Sequence, residues 1–306
     1  MNSTLGDLTK VDMKVYPTHN CQSNCPFCMT DLRWKNPEAS TEEYLSNFRN
    51  AFEAYFNAGG RKVLFTGGEP TNRPDKLFGM LKIIKDYSLD LVVIYTNGVN
   101  LLNTLSHNAQ EVTLMGALTS KGLRNYNLSV HHYNHQRRQE LSSERVCNLE
   151  KIVEEAETLD ASIRLNCTLM KDYIGTAQEV MKYVEYARNL GVQDVYFRDL
   201  FHLVNRDRSC AYADKAKLAF TDAQRVDFDT LVSELKLVLN MQFNETLSRH
   251  RENGRTYIFD YLGTRISFGT LVVGIEKQEK VTYLNFQPDG CAYQDMNGPE
   301  SKLRLD

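Results

Sequence analysis

Three of the seven cysteines in this 306-residue chain fall within eight positions, in the run Cys21-Gln-Ser-Asn-Cys25-Pro-Phe-Cys28-Met. Thiolates on so short a loop converge on a metal more readily than they pair as disulfides, and an odd cysteine count fits a reducing compartment. Two fillings suit the C-x3-C-x2-C spacing. A structural zinc would take His19 as its fourth ligand and close a tetrahedron. A four-iron cluster held by three cysteines would instead keep one iron open for a substrate or cofactor. A second motif, Thr66-Gly67-Gly68-Glu69-Pro70, begins 38 residues after Cys28. Its paired glycines let the backbone approach a ligand closely, and Glu69 offers a carboxylate to a cationic group.

These residues need a scaffold, and hydrophobic periodicity supplies one. Short β-type runs at 12–16, 62–66, 89–95, 127–131, 163–170 and 194–198 alternate with amphipathic helical stretches. Ser40 and Glu43 stand at capping-box spacing ahead of one helix, Thr176 and Glu179 ahead of another that Gly191 should end, and Thr221 and Gln224 ahead of a third. Six strand-then-helix units imply a parallel sheet, because parallel neighbours need a crossover. The expected fold is therefore α/β, a partial (β/α)6 TIM-like barrel over residues 1–205. Residues 206–306 read as a C-terminal α+β extension, a helix plus a small antiparallel sheet serving as a lid or substrate subdomain. In such sheets ligands bind at the carboxyl ends of the strands, and Cys21–Cys28, Thr66–Pro70, Thr96–Gly98 and Ser129–His132 all fall there.

Composition narrows the function classes. Thirty-six Lys and Arg against 39 Asp and Glu leave a net charge of −3, without the broad basic footprint of a DNA-binding protein. No apolar run approaches the roughly 20 residues of a membrane span. Residues 1–10 carry no apolar core of a signal peptide, so the expected location is cytoplasmic, with no membrane partner.

The cysteine loop and the Gly-Gly-Glu-Pro turn, in this order on adjacent strands, resemble the radical S-adenosylmethionine (SAM) superfamily over residues 11–205. That resemblance implies a [4Fe-4S] cluster on Cys21, Cys25 and Cys28 whose open iron chelates SAM. Phe27 matches the family's aromatic near the adenine, and Gly67, Gly68 and Glu69 match the turn that holds the methionine amino group. Ser129 matches a polar position near the ribose or carboxylate. Arg164 is suited to a carboxylate through its forked guanidinium, and Phe201 occupies a position that touches adenine. The implied activity is reductive SAM cleavage, with a 5′-deoxyadenosyl radical abstracting hydrogen from a small-molecule or peptide substrate. The implied electron donor is of the flavodoxin or ferredoxin type. Within the superfamily the motif style is most similar to the molybdopterin-precursor cyclase and its peptide-modifying relatives. Several features depart from that group. The extension holds only Cys210 and Cys291, short of an auxiliary-cluster set; Leu64 stands where the cyclase has an arginine; and the ending Lys-Leu-Arg-Leu-Asp lacks its glycine pair. Cys291, beside Tyr293 in the 288–293 turn, is a candidate for returning a hydrogen atom to a substrate radical. His131, His132, His135, Arg137 and Arg138, and separately Arg249, His250, Arg251 and Arg255, are candidates for anion binding or for a merely solvated face. Two other functions fit the motifs: a SAM-dependent activase or methyl-transfer enzyme acting on a macromolecule, and a zinc-stabilised α/β binding protein without catalysis.

Overall fold

The computed structural model describes residues 8–28, 35–107, 110–142, 145–200, 202–203, 214–239, 242–243, 256–270, 272–273, 283–294 and 301–303. Strands β1 (Asp12–Val15), β2 (Lys62–Phe65) and β3 (Leu91–Thr96) are joined by helices α1 (Thr41–Asn57) and α2 (Pro74–Ile84). A hairpin of β4 (Thr104–His107) and β5 (Gln110–Thr113) and the short helix α3 (Leu114–Thr119) then lead into β6 (Asn125–Ser129). Helices α4 (His135–Ser142) and α5 (Leu149–Thr158) precede β7 (Ser162–Thr168), and α6 (Ala177–Asn189) connects to β8 (Asp194–Arg198). These six principal strands run parallel in the order β8-β7-β6-β3-β2-β1. This is the partial barrel that the strand-helix rhythm implies.

Local chemistry explains the helix ends. Ser40 Oγ accepts from Glu43 N at 3.2 Å, and Thr176 accepts from Glu179 N at 3.2 Å, so both N-terminal caps form at the expected positions. Gly191 follows α6 at φ +84, the left-handed stop that glycine adopts without steric cost. The third capping pair does not form. Thr221 lies inside α7 (Lys215–Ala223), whose start is capped by Asp214, and the next helix, α8 (Phe228–Leu239), takes Asp227 as its first-turn acceptor instead.

Side chains alternate across every strand. One set, including Met13, Val15, Val63, Phe65, Tyr126, Leu128, Leu165, Cys167, Val195 and Phe197, is at most 1% exposed and packs on α1, α2, α5 and α6. Each large apolar side chain so covered contributes roughly 1.5–3 kcal/mol. The alternate set faces the concave side and is mostly polar, with Lys14, Tyr95, Asn127, Arg164, Asn166, Tyr196 and Arg198 beside the apolar Leu64 and Val93. Parallel sheets are usually apolar on both faces, so a polar concavity is chemistry beyond the needs of packing.

The extension is built into the same sheet. β10 (Gln242–Phe243), β11 (Thr256–Tyr261) and β12 (Thr264–Gly269) do form antiparallel pairs, but β12 lies parallel against β8 and continues the barrel sheet. β14 (Tyr283–Phe286) lies parallel to β1 on the opposite edge, with β15 (Ala292–Tyr293) folded back on it. Two-residue β9 (His202–Leu203) and β13 (Val272–Val273) pair apart from it. The expected small separate sheet is thus divided between both edges of the barrel, giving 11 strands in one sheet. Pairing satisfies edge hydrogen bonds that each barrel edge would otherwise leave open. Among the described residues no helix is long and apolar enough to cross a membrane.

Candidate cofactor and substrate site

The cysteine loop is fixed before its first cysteine. Gly68 N donates to Thr18 O at 3.0 Å and Glu69 N donates to Asn20 O at 2.8 Å, so the turn after β2 is zipped to the strand leaving β1. Only glycine permits this approach: a Cβ on Gly68 would stand 2.3 Å from Asn20 O and 2.4 Å from His19 O. At Gly67 a Cβ would meet Thr18 O at 2.7 Å, and its φ of +129 lies where L residues are strained. The close approach that the glycines promised is therefore made, at least in part, to the cysteine loop itself. Below the loop, Glu38 accepts from Thr18 Oγ1, from His19 N at 3.2 Å and from Arg73 Nη1 at 3.0 Å. Fully buried Lys76 donates to Pro17 O at 3.0 Å and stands 4.1 Å over the Tyr44 ring.

Within the loop, Cys28 N donates to Cys25 O at 3.1 Å, and Cys21 Sγ accepts from Ser23 N at 3.4 Å and from Asn97 Nδ2 at 3.8 Å. Burial, with added repulsion from Cys28 and Cys21, pushes the Cys25 thiol up to about 12. Among the described residues no three His, Cys, Asp or Glu side chains stand close enough to grip a single ion. Three thiols on one loop, two of which, Cys21 and Cys25, are raised by burial and by the neighbouring Cys28, are a donor set that a cationic centre would deprotonate and neutralise. The residues present thus fit a thiolate-held iron–sulfur cluster.

Glu69 is 1% exposed and spends its carboxylate within the protein. Oε1 accepts from Thr71 N at 3.0 Å, Thr71 Oγ1 at 2.6 Å and Thr96 Oγ1 at 2.7 Å, and Oε2 accepts from Asn97 N at 2.8 Å. It staples the glycine turn to the end of β3, and burial raises its pKa against those four bonds. Phe27 is 8% exposed and meets the His131 ring edge-on, with centroids 4.7 Å apart. Ser129 ends β6 opposite Asn166. Arg164 sits lower on the concave face, register-matched to Asn127, and its Nη2 donates to Asp194 at 2.7 Å. Its guanidinium is thus engaged away from the strand ends. Phe201 and Cys210 lie outside the described residues, as do Arg249, His250, Arg251 and Arg255.

The other rim candidates divide. His132 Nδ1 accepts from Asn134 N at 2.9 Å and Arg137 pairs with Glu140 at 2.8 Å, so both serve the start of α4. Cys291 lies in the turn after β14, where its N donates to Asp289 Oδ1 at 3.0 Å. Tyr293 OH donates to Asp289 Oδ2 at 2.6 Å and accepts from Asn36 Nδ2 at 2.8 Å. This turn is at the same rim as the cysteine loop because β14 runs parallel to β1.

The radical SAM superfamily model matches residues 15–208, well over half of the chain. The chain belongs to the radical SAM superfamily. Its curated relatives include the GTP 3′,8-cyclase of Aliarcobacter butzleri, 28% identical over 63% of this chain and 57% of that protein. Another is molybdenum cofactor biosynthesis protein 1 of Drosophila melanogaster, 29% identical over 60% of this chain and 31% of that protein. The chain therefore spans about half the length, or less, of these relatives. Among solved structures, Streptococcus suis SuiB bound to its precursor peptide SuiA covers 96% of this chain and 60% of its own, at TM-score 0.59 and 12% identity. SuiB bound to S-adenosylmethionine gives a TM-score of 0.57 at 13% identity, covering 98% of this chain and 61% of its own.

For a radical SAM chain, sequence reasoning missed the polar residues that hold the motifs in place. Thr71, Thr96 and Asn97 feed Glu69, and Lys76 with Glu38 anchors the approach to Cys21. Thr96-Asn97-Gly98 carried a turn signal after a strand, which was the available clue. Lys76 carried none, because a lysine on an amphipathic helix reads as solvent-facing.

Proposed function

We propose that the chain is a radical SAM enzyme of a biosynthetic pathway, holding a [4Fe-4S] cluster on Cys21, Cys25 and Cys28 and binding SAM beside it. When bound, the cluster supplies the electron that cleaves SAM reductively, freeing a 5′-deoxyadenosyl radical to take a hydrogen atom from a small-molecule or peptide substrate. The observation that carries this reading is the zip between the Gly-Gly turn and the cysteine loop, which fixes both motifs at one end of a polar-lined barrel. In this reading Phe27 and Ser129 flank SAM, the backbone of Gly67 and Gly68 approaches its methionine end, and Glu69 keeps that turn rigid. Cys291 is assigned the return of a hydrogen atom, and a flavodoxin- or ferredoxin-type protein the delivery of the electron.

The relatives' names carry GTP, and SuiB's carries a peptide. We infer that the substrate here differs from GTP, because Leu64 places an apolar side chain on the concave face where the cyclase pattern has a cation. Anaerobic reconstitution tests the proposal. The expected product is a brown protein with about four irons that forms 5′-deoxyadenosine from SAM and dithionite, with Cys25→Ala doing neither. A colourless protein holding one zinc would overturn it.

A further inference from the structure

The concave face carries a row of hydrogen-bond donors at the C-terminal ends of β6, β7 and β8 that neither the cysteines nor the glycine turn uses. Thr168 and Arg198 are register partners, and Thr168 N donates to His131 Nδ1 at 3.2 Å. Their preceding residues fix the side-chain directions. Cys167 is 1% exposed and Phe197 fully buried in the helix-facing core, so Thr168 and Arg198 point into the barrel. His131 is held below its ordinary value, at about 4, by its enclosure and then by the Arg198 guanidinium. A neutral imidazole whose Nδ1 accepts carries its proton on Nε2, so it too is a donor.

Among the described residues Arg198 has no ion-pair partner. Its guanidinium stands 5.7 Å from the Tyr196 ring centroid, and among the described residues no carboxylate lies within ion-pairing distance of it. Its neighbour Asp199 is pushed up to about 6 chiefly by burial, and Arg198 is not among the charges that act on it. Arg164, by contrast, is neutralised by Asp194. One level below the row, Asn166 stands between Ser129 and Tyr196, and both its Nδ2 and Oδ1 are buried without a hydrogen-bond partner. The cavity of about 450 Å³ bordered by Asn125, Ser162, Arg164 and Asp194 lies near the starts of β6, β7 and β8, and none of His131, Asn166, Thr168 and Arg198 lines it. Buried polar groups are expected to be paired, so an orphaned amide beneath an uncompensated guanidinium calls for a ligand with matching groups. A neutral ligand would leave Arg198 desolvated and unneutralised, at a cost that an anionic oxygen removes through charge-assisted hydrogen bonds.

We propose that His131, Thr168 and Arg198 bind an anionic oxygen group of the substrate, a carboxylate or a phosphate, while Asn166 pairs with an adjacent polar group. The substrate is accordingly a small acid or phosphate ester, not a neutral peptide segment. This assignment rests on the radical SAM reading above, for which it names the substrate class.

The test uses the anaerobically reconstituted protein saturated with SAM, titrated calorimetrically with inorganic phosphate, malonate and neutral malonamide. The expected result is saturable binding of phosphate or malonate but not malonamide. Preference for phosphate identifies a phosphate ester, and preference for malonate a carboxylic acid. Affinity should fall at least about tenfold in Arg198→Gln, recover in part in Arg198→Lys, and stay unchanged in Arg188→Gln on the outer face of α6. No saturable binding to the wild type, equal binding to wild type and Arg198→Gln, or equal binding of malonamide would overturn the proposal. So would anion binding that SAM abolishes, since the row would then hold SAM's own carboxylate. Iron content and 5′-deoxyadenosine formation, measured on the same wild-type preparation, report separately on the radical SAM reading.

Discussion

The zip between the glycine turn and the cysteine loop predicts a sharp effect of one added methyl group. At Gly68 a Cβ would stand 2.3 Å from Asn20 O, ~0.7 Å short of the 3.0 Å that real Cβ contacts respect. The obstructing atoms are backbone carbonyls, which cannot swing aside as a flexible side chain would. Gly68→Ala must therefore push the turn from the loop and stretch the bonds from Gly68 N to Thr18 O and from Glu69 N to Asn20 O, now 3.0 and 2.8 Å. At about 0.5–1.5 kcal/mol net for each bond, the cost is roughly 1–3 kcal/mol. The φ at Gly68 lies outside the left-handed region, unlike that at Gly67, so this substitution isolates close approach from backbone strain. Urea unfolding of the apo protein should show that loss, and iron content after reconstitution should fall with it. A Gly68→Ala protein that unfolds with the wild type and takes up a full complement of iron would refute the reasoning.

Lys76→Met should destabilise the fold by about 2–4 kcal/mol, since it strips the Pro17 carbonyl of its buried donor and removes a cation 3.7 Å from Glu38. Urea midpoints within experimental error of the wild type would contradict it. The His131 imidazole, lowered from 6.5 to about 4 in the fold, takes up a proton on unfolding across that interval. Its contribution is therefore complete above about pH 6.5 and is lost as pH falls toward 4. Urea midpoints across that range should decline less in His131→Gln than in the wild type, and parallel curves would exclude the assignment.

Much of the fold was legible because it rests on local signals. The Ser40 and Thr176 caps, the Gly191 stop and the short β-type runs that form β6, β7 and β8 each depend on residues within a few positions of one another. The cysteine and glycine motifs were legible for the same reason, being compact and ordered along the chain. The pair Thr221 and Gln224 misled because a cap signal is also compatible with a helix's last turn, and Asp214 started that helix earlier.

Sequence by itself determined the parallel strand-helix rhythm, the thiol loop and the need for glycine at the turn after β2. Tertiary structure alone decided what those parts meet. β14 lies beside β1 although Tyr283 and Asp12 are far apart in the chain, and β12 lies beside β8. Register then sets His131, Thr168 and Arg198 side by side, engages Arg164 with Asp194, and turns Glu69 inward onto Thr71, Thr96 and Asn97. Hydrophobic period and capping act over one or two turns of chain. Strand register and the pairing of buried polar groups are settled only when distant segments compete for the same hydrogen bonds in one sheet.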